Sequence, residues 1–171
     1  MEHTATYIKN NIKKLPDAVR ARCTGPMPRV GADTMIELLT VGQDGWPHVA
    51  QLSVGEVELG TDGLLRVALW SHSRSAGALS TEMMGLLLFV DAGSVFEVRC
   101  DVLSAERLET EMSLTGFLFV PVDVRDKNVP YAEIVSGSRF RLRDPERTKG
   151  HWDEALSALR KQFPAQENTV E

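Results

Sequence analysis

Cysteine is scarce in this chain: 171 residues hold two, Cys23 and Cys100. Neither lies in a CxxC pair or at a metal-ligand spacing with histidine. That argues against a disulfide framework and a zinc site, and for a reducing compartment, the cytoplasm. Basic charge is in deficit, with 19 Lys and Arg against 24 Asp and Glu and a net charge of -5. A general nucleic-acid binder needs a basic face, so that class is disfavoured, although a local basic pocket stays open. Long apolar runs are missing. The cleanest one, GLLLFV at 85–90, is far too short to span a bilayer. The opening MEHTATYIKNNIKKLP is too polar for a signal peptide. No G-x-G-x-x-G follows a strand pattern, which disfavours a Rossmann dinucleotide site. No G-x-S-x-G is present, so a nucleophile elbow has no support. Internal repeats and low-complexity tracts are absent.

The composition that remains, 43% hydrophobic and 25% charged, is that of an ordinary globular protein, and the length suits one domain. Tyr7, Ile8, Ile12 and Leu15 fall at helical spacing. Pro16 either breaks that helix or opens a second one over PDAVRARC. TGPMPRVGADT reads as an irregular link. TMIELLTVG is a strand, and QDG at 43–45 is a hairpin turn. WPHVAQLSVGEVELG is long enough for one bent or bulged strand, with Gly55 at the bend. A second turn, TDG at 61–63, leads into LLRVALW. RSAGALSTEMM predicts a short helix, GLLLFV a buried strand, and DAGS a turn. In VFEVRCDVLSAERLE, Phe96, Val98, Cys100 and Val102 alternate with Glu97, Arg99 and Asp101, the pattern of a half-buried strand. SLTGFLFVPVDVRDK and YAEIVSGSRFRLRD predict two more. The apolar stretch LTGFLFVPV calls for burial in the core or at an interface. Trp152, Leu156, Leu159 and Phe163 share one helical face, and the polar tail AQENTVE reads as frayed. Consecutive antiparallel strands joined by tight turns point to a small barrel and not to a βαβ sheet.

The chemistry-bearing stretch is LWSHSRSAGAL, residues 69–79. Ser71, Ser73 and Ser75 offer hydroxyls, Arg74 a guanidinium fork, and a helix start offers free N–H groups; together they suit a phosphate. Taken alone, the stretch is better read as a serine-capped helix start, which needs no ligand. His48, His72 and His151 have no Asp or Glu at an orienting spacing and read as ordinary surface residues. Glu106, Glu109 and Glu111 read as a solvated turn. Trp46, Trp70 and Trp152 can stack on a planar ligand, although the helical spacing of Trp152 marks it as core.

The succession of pieces over residues 33–103 carries more than any one of them. A strand ending in DG, WPHVAQLS, a second DG, LLRVALWSHSRSAGAL and GLLLFVDAGSVFEVRCDV resembles the pyridoxamine 5'-phosphate oxidase-like family of FMN-binding split barrels. The resemblance implies a mainly β (α+β) fold: an antiparallel six-to-seven-stranded split β-barrel with flanking helices, homodimeric. One domain over 1–171 would hold an N-terminal helical arm (1–32), the barrel (33–143) and a C-terminal helix (148–163). FMN would lie at the dimer interface, its phosphate on Ser73 and Arg74. Its ribityl chain and ring would pass along Leu69, Trp70 and Ser71, beside the strand His48, Val49, Ala50 and Gln51, with Ser53 further on and Glu97 reaching across the dimer. The implied function is an FMN-dependent oxidoreductase of unknown substrate with no catalytic side chain and no metal. Ser75 stands where a lysine commonly follows the Ser-Arg pair, and Glu97 where a neutral amide is frequent. FRLRDPERTKG lacks the terminal R-L-H-D-R pattern of the true oxidases. The alternatives are a flavin-free binding or regulatory dimer of the same fold, and a haem- or deazaflavin-handling relative.

Overall fold

A computed structural model describes residues 2–91 and 93–166. The expected DAGS turn includes Ala92, and the expected frayed tail includes 167–171; those residues lie outside the described ones. Two short helices come first, α1 (Glu2–Asn11) and α2 (Asp17–Cys23), with Pro16 at the N-cap of the second. Pro16 therefore opens a helix, and Ile12 and Leu15 belong to the connection. Seven strands follow: β1 (Ile36–Val41), β2 (Pro47–Leu52), β3 (Val57–Leu59), β4 (Leu65–Trp70), β5 (Met84–Asp91), β6 (Ser94–Arg107) and β7 (Leu114–Asp126). Helix α3 (Arg74–Glu82) separates β4 from β5, and α4 (Pro145–Gln162) follows the last strand. Among the described residues, no helix is long and apolar enough to cross a membrane.

All strand pairs are antiparallel, in the order β2-β1-β5-β6-β7-β4-β3. This order corrects one expectation. WPHVAQLSVGEVELG is not one bent strand; it is two strands, β2 and β3, at opposite edges of the sheet. Their separation forces the curvature. A flat seven-stranded sheet is about 29 Å from edge to edge at roughly 4.8 Å per gap. The link 53–56 has only four residues and reaches about 17 Å. The sheet must curl until its edges meet at this link. Helix α3 packs on β1, β2 and β4, spanning the opening between the two edges. The result is the mainly β split barrel with flanking helices that the resemblance implies.

Inside the curl, Ile36, Leu38, Leu65, Val67, Leu87, Phe89, Val98, Phe117 and Phe119 are buried in one cluster. The apolar stretch of β7 is accounted for by this core. Strand β4 is buried on both faces. Leu65, Val67 and Leu69 point inward, while Ala68 packs outward with Leu156, Leu159 and Phe163 of α4. Coverage on two sides is why its sequence is apolar without alternation. Arg66, also outward, is buried under α4. It pairs with Asp62 at 2.7 Å and donates to the Phe163 carbonyl at 2.8 Å, fastening the end of the helix to the barrel. Burial alone would raise the Asp62 carboxyl, but hydrogen bonds from Arg66 and the Leu64 N–H hold it below its ordinary value.

A second correction concerns YAEIVSGSRFRLRD. Its alternation is real, with Phe140 and Leu142 half-buried and Arg139, Arg141 and Arg143 exposed. It forms no strand in the sheet. Its pairing is an isolated bridge between Arg139 and Thr34, with Met35 donating to the Ser138 carbonyl at 2.8 Å and Phe140 to that of Asp33 at 2.9 Å. Every residue from 127 to 144 is outside regular strand, so alternation here records a segment lying on a surface.

Candidate functional site

The hairpin and the helix start meet as the chain order suggested. Asp-Gly at 44–45 turns β1 into β2, with Gly45 at a φ of 75° that a side chain would resist. Ser73 caps α3, its Oγ accepting from the Ala76 N–H at 3.1 Å. The first intrahelical bond runs from Gly77 to the Ser73 carbonyl at 3.1 Å. The N–H groups of Arg74 and Ser75 precede that bond and stay free of the helical ladder. Between the hairpin and this helix lies a cleft of about 450 Å³, lined by Gly42, Asp44, His48, Arg74, Gly77 and Glu82 among others. Arg74 is exposed on its rim.

Two of the expected site residues, His48 and Arg74, thus line one cleft. The rest of strand 48–51 is β2 itself, an edge strand whose outer N–H and C=O groups have no strand partner among the described residues. Val49 is 58% exposed and Gln51 exposed, whereas Ala50 packs toward the core. Trp70, 56% exposed, ends β4. Ser71 next to it is tied to β7, its N–H donating to the Ser113 carbonyl and its hydroxyl lying 2.9 Å from that of Thr115. Leu69 is buried in the core and has only backbone to offer. Ser53 is buried too, its N–H and hydroxyl donating to Glu56 at 2.6 and 2.8 Å. Burial pushes the Glu56 carboxyl above its ordinary range in spite of those bonds. Glu97 lies on β6, paired with Arg99 at 3.4 Å and Lys127 at 3.7 Å, and does not line the cleft. Ser75 is buried, so the position that lacks the usual lysine faces inward.

Sequence reasoning missed the cleft's carboxylates. Asp44 Oδ1 stands 3.5 Å from His48 Nε2, four residues along the chain, which corrects the expectation that no acid stands at a spacing that would orient His48. The tight turn brings the two side chains together, and Asp44 also accepts from the Trp46 N–H at 3.1 Å. With Glu82, the cleft sets two carboxylates against the one guanidinium of Arg74. Trp152 is core, as its spacing indicated, and Glu106, Glu109 and Glu111 are exposed. Among the described residues, no group of three or more His, Cys, Asp or Glu could hold a metal.

No family model matches the chain. The uncharacterised protein YclD of Bacillus subtilis (strain 168) is 27% identical over 125 residues, covering 72% of this chain and 81% of that protein. A solved structure described as an F420 reductase superposes with a TM-score of 0.50 at 13% identity, covering 65% of this chain and 98% of that one. An FMN-binding protein from Syntrophomonas wolfei subsp. wolfei gives a TM-score of 0.47 at 13% identity, over 58% of this chain and 80% of that one. The first superposition establishes a shared fold.

Proposed function

We propose that the chain is an FMN-binding flavoprotein of the oxidoreductase class, acting as a homodimer with the cofactor between the hairpin, the start of α3 and the partner subunit. The observation that carries this reading is the meeting of Arg74, the first residue of α3, with His48 of edge strand β2 and the turn at 42–44 around one cleft. A phosphate is served by a guanidinium and by helix-start N–H groups. A flavin ring needs a flat wall with hydrogen-bonding groups, and the outer edge of β2 beside exposed Val49 is such a wall. The residues present fit the group at its phosphate end through Arg74, with Ser73 as the cap that fixes the helix start.

The chemistry supplied by bound FMN is electron transfer at its ring. The chain's residues bind, orient and shield it, and none need act as acid or base. The same edge supports the proposed homodimer. An open edge strand carrying Val49, next to exposed Val41 and Trp46, is a surface that a symmetric partner covers.

Titration of the purified protein with FMN, followed by flavin absorbance and fluorescence, tests the reading. Saturable binding that weakens about tenfold in Arg74→Ala supports it. A stable dimer that ignores FMN sinks it. That second outcome belongs to the other reading, a flavin-free binding or regulatory dimer, which Asp44 and Glu82 favour because they oppose an anion beside Arg74.

A further inference from the structure

A second, larger cleft of about 1060 Å³ lies at the Asp33 end of β1, the end away from Arg74. Three pieces of chain wall it: the link 27–33, the extended segment 139–142, and the first turns of α4 as far as Trp152. Each wall is fastened. Arg29 donates to the carbonyls of Val54 and Val57 at 3.0 and 2.8 Å, pinning the link to the barrel. The segment 139–142 is held through the Phe140 N–H. Trp152 lies against Gly55 so closely that a β-carbon there would come within 2.0 Å of its ring. The cleft is a preformed concavity at the upper end of the size range of small-molecule sites.

Its chemistry is uneven. The floor is apolar, from Met27, Phe140, Leu142 and Trp152. The rim carries Arg139, Arg141 and Lys149 against one carboxylate, Asp33, which Arg139 already engages at 3.0 Å. Among the described residues, Arg141 and Lys149 enter no ion pair. In a chain of net charge -5, the lining of this apolar hollow carries three cations against one carboxylate, a local excess of positive charge.

We propose that this cleft binds a small amphipathic anion, its apolar or aromatic body on Phe140, Leu142 and Trp152 and its oxyanion head between Arg141 and Lys149. The site is separate from the Arg74 cleft and does not depend on flavin binding.

The test uses the full chain, labelled for ¹H–¹⁵N spectra and titrated with 2-naphthoate, 2-naphthyl phosphate and neutral 2-naphthamide. Carboxylate and phosphate heads are thereby compared on one body. At least one anionic probe is expected to shift the amides of 27–33 and 139–142 and the Trp152 indole saturably. The double variant Arg141→Gln, Lys149→Gln alters exposed side chains and is expected to keep the spectrum of the folded protein. It should bind that probe at least about tenfold more weakly, with 2-naphthamide unaffected and Arg74→Ala binding as wild type does. Three results overturn the proposal: no saturable shift with either anion, equal affinity in the double variant, or shifts on simple dilution showing that a second copy already fills the cleft.

Discussion

The two clefts at the ends of β1 are built from opposite materials. The smaller one joins a tight hairpin to a helix start and sets one guanidinium against two carboxylates. The larger one has an apolar floor and three cations against one carboxylate. Under the two proposals, an anion would be drawn by field to the larger, and by the Arg74 guanidinium and an open strand edge to the smaller. Electrostatic bias and hydrogen-bonding geometry are separate properties, and this fold places them at different ends of one strand. On the proposed reading, a flavin phosphate at Arg74 would be held by directed bonds against an unfavourable local charge, so its affinity is expected to fall steeply when those bonds are lost.

The largest effect expected is on the anchoring of α4, whose first turns wall the larger cleft. Arg66→Met leaves Asp62 buried without its cation and frees the end of α4. Urea unfolding should show a loss of about 3–5 kcal/mol. The pair also sets an acid limit. Asp62 has a folded pKa below its unfolded value, so its contribution is complete above the ordinary carboxylate range and is lost as pH falls through the lowered value. Asp62→Asn should remove that acid-side slope.

Gly55→Ala comes next. Its methyl would collide with the Trp152 ring, which is itself buried. Thermal unfolding should register a cost of about 1–3 kcal/mol. Binding of whichever anionic naphthyl probe the wild type takes should fail in this variant while FMN binding persists, since the smaller cleft touches neither residue. Loss of both together would mean that the two ends are not independent.

The smallest effect sharpens the comparison from the other side. Asp44→Asn with Glu82→Gln removes both carboxylates facing Arg74 and keeps an acceptor for the Trp46 N–H. Exposed charges are worth about 0.2–1 kcal/mol each. FMN affinity should rise a few-fold at low salt, and the gain should shrink as salt is added.

The same contrast explains what the sequence disclosed. The smaller cleft comes from short contiguous pieces, a DG hairpin and a Ser-capped helix, whose signals are local. Its elements were legible, and so was the alternation in β6. Asp44 beside His48 was not, because the spacing of four residues faces only in a helix or across a turn of known geometry. The larger cleft draws on 27–33, 139–142 and α4, which nothing in the sequence brings together. Alternation at 139–143 suggested a strand because an extended segment on an apolar surface shows the same period as one in a sheet. The splitting of 47–60 between opposite edges was hidden too: Gly55 signalled a bend, and its actual task is to admit Trp152. Leu69 and Ser53 were placed at the site by their neighbours along the chain; the Leu69 side chain is buried in the core and that of Ser53 is bonded to Glu56, contacts the sequence did not signal.

One titration tests the central claim most directly. FMN is added to the wild-type chain, to Arg74→Ala and to Arg141→Gln, Lys149→Gln under identical salt, and binding is followed by flavin fluorescence. Saturable binding is expected, about tenfold weaker in Arg74→Ala and unchanged in the double variant. Binding indifferent to Arg74, or lost with Arg141 and Lys149, would contradict it.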